Sequence, residues 1–582
     1  MKPKSNSICK MTGLCLLILV AGLSQTVRGQ AFVHPGLLHK AADFTRMTTE
    51  VNAGANPWIQ GWEVLTNNSH AQSSYVPNPQ TDIDRGGTVN NYGIFYNDIA
   101  AAYQNALVWK ISGNTANAST ATKIVTEWAT TCTEVTGDSD RFLAYGIYGY
   151  EYCQSVEILR GYSGFSSTDL SECQKFMTNV FLPGNMNFLT NHNGACISNY
   201  WANWDLCNIA SMAAIGVLCD NRTIYNFALD YFTNVNFLPV DHTGGGSTGS
   251  GNGEIDHSIP FIYTGTFNDT TAKTLGQGQE EGRDQGHGGL DVSLWGVVCQ
   301  QFYNQGNDMF AWKNDKVLSA VEYYATYNIN TNNTVPYTTY FWGNGDTCVP
   351  SWQTVISTSS RNVDIRPSWE LMYSHYVGDN GLAAPNTASY AAWMRPEGGG
   401  AEYGPNSGGY DQLGFGTLCY TVTAGNPVAQ GNYILQSAAD GNNVDDYGYT
   451  TNGAPLNQYA AQSFGSTGNQ NWNLIQLSGS TYMIQGAKGL YVDSLGKTTS
   501  GSTVGLWAFS STNNIHQQWT ITWEGGGHYK LTNVGNGLCL DTAGLTANGS
   551  ALEMVTSSSN ITQLWKILGS NPAVRNMALI IP

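Results

Sequence analysis

Four short stretches of this 582-residue chain collect side chains able to move protons or hold charge. The densest is Gly276-Gln277-Gly278-Gln279-Glu280-Glu281-Gly282-Arg283-Asp284-Gln285-Gly286-His287, just before an apolar run at 290–303. Acids, an arginine, an amide and a histidine meet there at a helix N-terminus, where backbone N–H groups favour anions. Capping needs only one or two of these groups, so the cluster reads either as a cap or as a site. The second stretch is Asn191-His192-Asn193-Gly194, followed by Tyr200-Trp201-Ala202-Asn203-Trp204-Asp205-Leu206-Cys207. Asn203 lies between aromatics at the start of a long apolar helix, where an amide either caps the helix or faces a ligand. The third stretch runs from Arg366 to Tyr376. Glu370, Tyr373 and Ser374 share one helical face, with His375 and Tyr376 beside them. The fourth, Arg395-Pro396-Glu397-Gly398-Gly399-Gly400, reads as a loop. A G-x-S-x-G match at 245–249 has no strand before it and carries no nucleophile elbow. There is no H-E-x-x-H helix and no paired C-x-x-C, so no metal or other cofactor is expected.

The elements that must position these residues fall into two parts. Before about residue 420, apolar residues recur at i, i+3, i+4 over 120–131, 206–219, 290–303 and 316–327. Glycine-, asparagine- and proline-rich loops join them. Paired helices with long polar loops fit an (α/α) toroid or incomplete barrel better than a doubly wound sheet. After a linker at 421–428, the chain repeats. Gln470-Asn471-Trp472, Gln517-Gln518-Trp519 and Gln563-Leu564-Trp565 place their tryptophans 47 and 46 residues apart. Each follows a short strand-like run ending in Asp445, Asp493 or Asp541. A fixed period of this size marks a pseudo-symmetric, all-β unit.

Length, charge and cysteines bound the rest. Residues 1–30 read as an export signal: Lys2, Lys4 and Lys10 precede an apolar run over 12–23 that is too short to span a bilayer. The remaining 550 or so residues exceed one compact core. An exported chain with ten cysteines after residue 30 is expected to pair several of them as disulfides. Seven N-x-[ST] sequons begin at Asn67, Asn117, Asn221, Asn268, Asn332, Asn548 and Asn560. A net charge of −17 disfavours nucleic acid and anionic membranes as partners. It also means that a polyanionic substrate needs local positive charge. Seventeen Trp and 32 Tyr supply flat rings for the core and for stacking on pyranose faces.

The three Gln-x-Trp repeats resemble the ricin-type β-trefoil lectins over about residues 429–568, leaving 569–582 as a tail. The resemblance implies that Trp472, Trp519 and Trp565 are core and that Asp445, Asp493 and Asp541 bind sugar hydroxyls. It also implies stacking platforms at Tyr459 and Trp507, with Met554 near the equivalent place in the third lobe. Turn capping is the alternative role for each Asp. The four polar stretches, in order, resemble the secreted alginate lyase-like polysaccharide lyases, from His34-Pro35-Gly36-Leu37-Leu38-His39 to about residue 420. That resemblance implies an (α/α) toroid domain over 31–420 and β-elimination on a uronate polymer such as alginate or glucuronan. The weakly acidic H5 of a uronate leaves once its C6 carboxylate is neutralised, and a side chain then takes the proton. The roles implied are carboxylate neutralisation by Asn203 and Arg283, base or neutraliser for His287 and His257, and acid/base for Tyr376 supported by His375. A glycoside hydrolase using Glu280, Asp284 or Glu397 and a non-catalytic sugar-binding protein are the alternatives.

Overall fold

The computed structural model describes residues 31–233, 253–267, 272–343, 349–362, 366–400, 410–422, 431–462, 468–478, 480–525 and 528–569. The expected export signal at 1–30, most of the expected linker, the tail beyond 569, the 245–249 stretch, Asn268 and Cys348 lie outside the described residues.

All four helices read from periodicity are present, as Thr115–Thr131, Asn203–Leu218, Gln285–Asn304 and Trp312–Ile329. The first three start earlier than their apolar patterns, with polar residues in the first turn; in the fourth, Lys313, Asn314 and Asp315 sit at φ 52°, 57° and 55°, so the right-handed helix begins where its pattern does. Asn114 caps the first of them and Asp284 the third by accepting backbone N–H groups at 116 and 287. Asn203–Leu218 is apolar on every side and buries all its residues but Trp204. Gln285–Asn304 is nearly as enclosed. Such helices belong inside a bundle, not on its surface. They sit in a succession of packed neighbours: Tyr92–Ser112, Gly149–Leu159, Asn203–Leu218, Gln285–Asn304, Trp369–Tyr373 and Gly416–Cys419. The last packs on Trp58–Asn67, which returns to Tyr92–Ser112 and closes the circuit. The amphipathic helix Arg222–Thr233 packs its apolar face on Asn203–Leu218 from outside, while Trp312–Ile329 is buried along residues 319–328.

The C-terminal region is a β-rich unit with a threefold internal repeat. The indoles of Trp472, Trp519 and Trp565 are fully buried and donate to the carbonyls of Val444, Val492 and Leu540, each at 3.0 Å. They pair across strands with Tyr433, Tyr482 and Tyr529. The amides of Gln470, Gln517 and Gln563 tie down the loops at Ala460, Ala508 and Thr556. One indole fills the centre from each repeat, and one glutamine fixes the hairpin above it. The two regions share a seam. Ala392 packs into the β core, the Tyr433 hydroxyl donates to the Ala392 carbonyl at 3.1 Å, and Gln60 donates to the Tyr529 hydroxyl at 2.9 Å.

The cysteines depart from the expectation of several disulfides. Cys196 is disulfide-bonded, but Cys132, Cys153, Cys173, Cys207, Cys219, Cys299, Cys419 and Cys539 are free thiols, all but Cys219 buried. They serve as small apolar core residues. Asn117 is also buried, donating to the Ala71 carbonyl and to Asn105, which removes it as a glycan acceptor in the folded chain.

Candidate functional site

The site begins at a backbone distortion. Ala202 sits at φ 73°, ψ −125°, a conformation costing a non-glycine residue about 1–3 kcal/mol. Its N–H donates to Glu254 at 2.6 Å, which holds the kink. The helix therefore starts on Asn203, which occupies its first turn and makes no capping bond. Both polar atoms of the Asn203 amide, and the Trp201 indole N–H, are buried with no hydrogen-bond partner among the described residues. A buried amide left unpaired costs about 1–3 kcal/mol, and native structures seldom carry one without a reason.

His257 stacks on the Trp201 indole with ring centres 3.9 Å apart and planes 14° apart. Burial lowers its pKa to about 4 against the pull of Asp256, so the ring is neutral at pH 7 and able to accept a proton. Behind it, Asp205 and Glu254 are fully buried carboxyl groups, Asp205 accepting from the Tyr231 hydroxyl at 3.2 Å. Burial first, and then the neighbouring Asp205, raises Glu254 far above the carboxylate range. His192 stands 3.6 Å from Asp205 and bonds Tyr231 at 2.8 Å.

The stretch 279–287 closes the other side. Asp284 is the helix N-cap, accepting from the His287 backbone at 2.9 Å and meeting its ring at 2.7 Å. The capping reading thus holds for Asp284 and leaves Arg283 and the His287 ring facing outward. Arg283 lies over the Trp342 ring at 4.7 Å, 3.5 Å from Glu280 and 3.9 Å from Asp284. Glu281 is raised to about 8 by burial and by its neighbours Glu280 and Asp284. Asp291 interacts with Glu280, Glu281 and Glu254, which links this side to Asn203. The aromatic wall runs from Trp201 through Phe341, 5.9 Å away, to Trp342 and the exposed Trp352. His257, through Trp201, and Arg283, through Trp342, thus lie along one aromatic wall beside the starts of Asn203–Leu218 and Gln285–Asn304.

His375 and Tyr376 do not join them. His375 stacks on Phe310 at 3.8 Å and stands edge-on to Tyr303 at 4.9 Å, and burial lowers it to about 4. The Tyr376 hydroxyl donates to the Phe310 carbonyl at 3.1 Å, and burial raises it far out of reach of a proton-abstraction role. Tyr303 is sixteen residues beyond His287 on one helix, or about 24 Å. The third and fourth stretches instead form a lock. Glu370 receives two bonds of 2.6 Å from Arg395, plus Ser374 and Thr421 at 3.1 Å. Glu397 accepts from the backbones of Trp369 and Glu370 through one oxygen, and its other oxygen is packed against Gly416.

Sequence reasoning missed a third group. Arg366 bonds Asp411 at 2.8 Å and the Gly286 carbonyl at 3.3 Å. Arg85 donates to the Tyr148 hydroxyl at 3.1 Å and lies over the Tyr92 ring at 5.0 Å. These cations flank the same end of the inner helices. Nothing local marks Arg85, which sits alone in a four-residue strand. Glu254 was overlooked beside His257.

In the β region one oxygen of each proposed sugar ligand is already used. Asp445, Asp493 and Asp541 accept from the backbones of Tyr447, Leu495 and Ala543 at 2.7, 2.6 and 2.7 Å. The accepting turns hold those three residues at φ 56°, 55° and 54°. The second oxygen of Asp445 accepts from Gln470 at 3.0 Å. Strand register aligns Tyr459 with Trp507 and with Val555, not Met554. Met554 is fully buried, so the third lobe presents no aromatic platform at this position. Trp507 is 42% exposed, and Tyr459 meets Tyr447 edge-on at 5.8 Å.

Residues 55–239 match the family model described as alginate lyase, and residues 515–578 match the ricin-type beta-trefoil lectin domain-like family. Both agree with the two-part resemblance in the sequence. Among solved structures, the designed threefold symmetric protein ThreeFoil is 26% identical over 23% of this chain and 96% of its own, with a TM-score of 0.22. The Rhizoctonia solani agglutinin is 21% identical over 24% and 95%, with a TM-score of 0.21. The Macrolepiota procera ricin B-like lectin, solved with lactose, is 16% identical over 25% and 98%, with a TM-score of 0.21. No curated protein matches the chain.

Proposed function

We propose that this protein is a secreted polysaccharide lyase that cleaves a uronate polymer of alginate or glucuronan type by β-elimination, with a β-trefoil that targets it to carbohydrate. The alginate lyase match supports a polysaccharide lyase, and the lectin match supports carbohydrate binding. The closed circuit of inner helices supports an (α/α) toroid, and the threefold tryptophan pattern supports the trefoil.

One observation carries the reading: a buried Asn203 amide with no partner among the described residues, two positions along the chain from the Trp201 indole on which a neutral histidine stacks. Asn203 and Arg283 take the C6 carboxylate of the substrate, and their bonds strengthen as H5 leaves and negative charge builds there. His257 is positioned as the base, and its low pKa keeps it free of a proton. His287, oriented by Asp284, is the group placed to hand a proton to the leaving O4. The hydrolase reading loses Glu397 to the lock and Asp284 to the helix cap. The test is a panel of mannuronate, guluronate and glucuronate polymers assayed for new ultraviolet absorbance from the C4–C5 double bond. Reducing ends without absorbance would identify a hydrolase, and neither product would leave only a binding protein.

A further inference from the structure

Where the helical and β regions meet, they enclose a cavity of about 660 Å³ whose lining includes no charged side chain. We propose that this interdomain cleft is a carbohydrate-binding site for a neutral oligosaccharide, separate from the uronate site and from the three β lobes. The β wall is a row of amides. Asn473 stands between Asn432 on one neighbouring strand and Gln485 on the other, so the three lie side by side at the strand spacing of about 5 Å. Asn471 and Asn473 flank the inward-pointing Trp472, and strand alternation puts both on the outer face. None of these four side-chain amides has a hydrogen-bond partner among the described residues. The threefold repeat supplies the control. The places of Asn432, Asn473 and Gln485 are taken by Thr481, Thr520 and Thr532 in the next repeat, and by His528, Lys566 and Gln436 in the last. The amide row therefore belongs only to the repeat that faces the cleft. It is not a by-product of the fold.

The opposite wall is prearranged. Arg361 bonds the carbonyls of Tyr327, Asn330 and Asn333 and stacks 3.6 Å from the Tyr327 ring. This fixes the loop that presents Asn330 and Asn333. Asn362 adds a buried carbonyl oxygen with no partner among the described residues, and Trp393 contributes an indole. Amides carry both donors and acceptors and so match vicinal sugar hydroxyls, while an indole meets the apolar ring face. The absence of cations in the lining disfavours a uronate. A wall fixed in advance lowers the ordering cost of binding.

Two sources of neutral sugar fit: a free oligosaccharide, or a glycan carried on the exposed sequon at Asn332, on the same loop. The test uses the full chain with its lobe platforms removed by Tyr459→Ala and Trp507→Ala, in an Asn332→Gln background and without it. Cellotetraose and mannotetraose are the titrants in calorimetry. Retained binding that falls at least tenfold with Asn473→Ala and also with Asn330→Ala, one from each wall, is the expected result. Binding seen only with Asn332→Gln would assign the cleft to the chain's own glycan. No binding of either sugar in both backgrounds, or binding indifferent to both cleft substitutions, overturns the proposal. Asn473→Ala and Asn330→Ala leave uronate turnover at the level of the parent chain, which separates this outcome from failure of the lyase reading.

Discussion

Asn203 and Glu370 are both buried polar groups, both carried by stretches that resemble the same enzymes, and they are in opposite condition. Glu370 is saturated: two bonds from Arg395, one from Ser374 and one from Thr421. Asn203 has none among the described residues. A saturated group has nothing left to offer a ligand, and removing its partner strands a charge. An unsaturated one gives up stability until something binds. His375 and His257 are equally buried and differ in their surroundings: His375 stacks on Phe310 beside Tyr303, and His257 stacks on Trp201.

The largest effect expected is on the lock. Arg395→Ala leaves Glu370 buried and unpaired, at a cost of roughly 3–5 kcal/mol, while the folded fraction keeps its turnover. Denaturant unfolding alongside kcat checks both halves, and a stable but inactive variant would move Glu370 into the chemistry. Next comes acid. The pKa of His257 falls from 6.5 in the unfolded chain to about 4 in the folded one. Stability from this group is therefore complete above pH ~6.5, where both states are neutral. It is lost as pH falls toward about 4, because the unfolded chain binds the proton first. The loss approaches about 3 kcal/mol. His257→Phe keeps a ring on Trp201 and should flatten that slope, and an unchanged slope would relocate the titration. Third, Arg283→Ala should lower kcat/KM about 100-fold or more at unchanged melting temperature, since it removes one charge aimed at developing negative charge.

How much of this was legible follows from what makes a pattern local. The β repeat was readable because each copy carries its own indole, glutamine and turn aspartate at a fixed spacing. Strand register then moved the third platform from Met554 to Val555, a one-residue shift that reverses the face. The helices were readable from their apolar period, but their first turns were not. Asn203 and Asp284 sit in equivalent sequence settings, yet only Asp284 caps. The cause is Glu254, some fifty residues away, which holds Ala202 in a kink and moves the helix start by one residue. Arg85, Arg366 and Asp411 meet only because the circuit of helices closes, and no spacing encodes that.

A smaller effect sharpens the comparison at Asn203 itself. An amide that bonds nothing in the free protein contributes no hydrogen bond to lose and carries a desolvation cost, so Asn203→Ala should leave the melting temperature unchanged or raise it. Turnover should fall roughly tenfold or more, the worth of a hydrogen bond to a charged group, mainly in kcat. Asn203→Asp should be worse, because it sets a second carboxylate against one gaining charge. Had Asn203 been the cap, Asp would replace it well and Ala would cost about 1 kcal/mol. An active Asp variant with a destabilised Ala variant would therefore return Asn203 to the helix end.

The smallest effect concerns the β lobes, where the three aspartates share one turn bond, Asp445 adds a bond from Gln470, and the three differ in what faces them. Each spends one oxygen on a turn, so Asp→Ala at any of them should cost about 1 kcal/mol of stability through the lost side-chain bond. Sugar affinity should divide them. Asp493 has the exposed Trp507 on the neighbouring strand and Asp445 has Tyr459, while Asp541 has only Val555. Stacking contributes on the order of 1 kcal/mol beyond contact area, enough to make the third lobe several-fold weaker. Asp493→Ala should then reduce binding of the chain to a galactose-bearing resin, and Asp541→Ala should leave it almost unchanged. Equal losses at the two positions would show that the turn, and not the aromatic platform, governs binding in this domain.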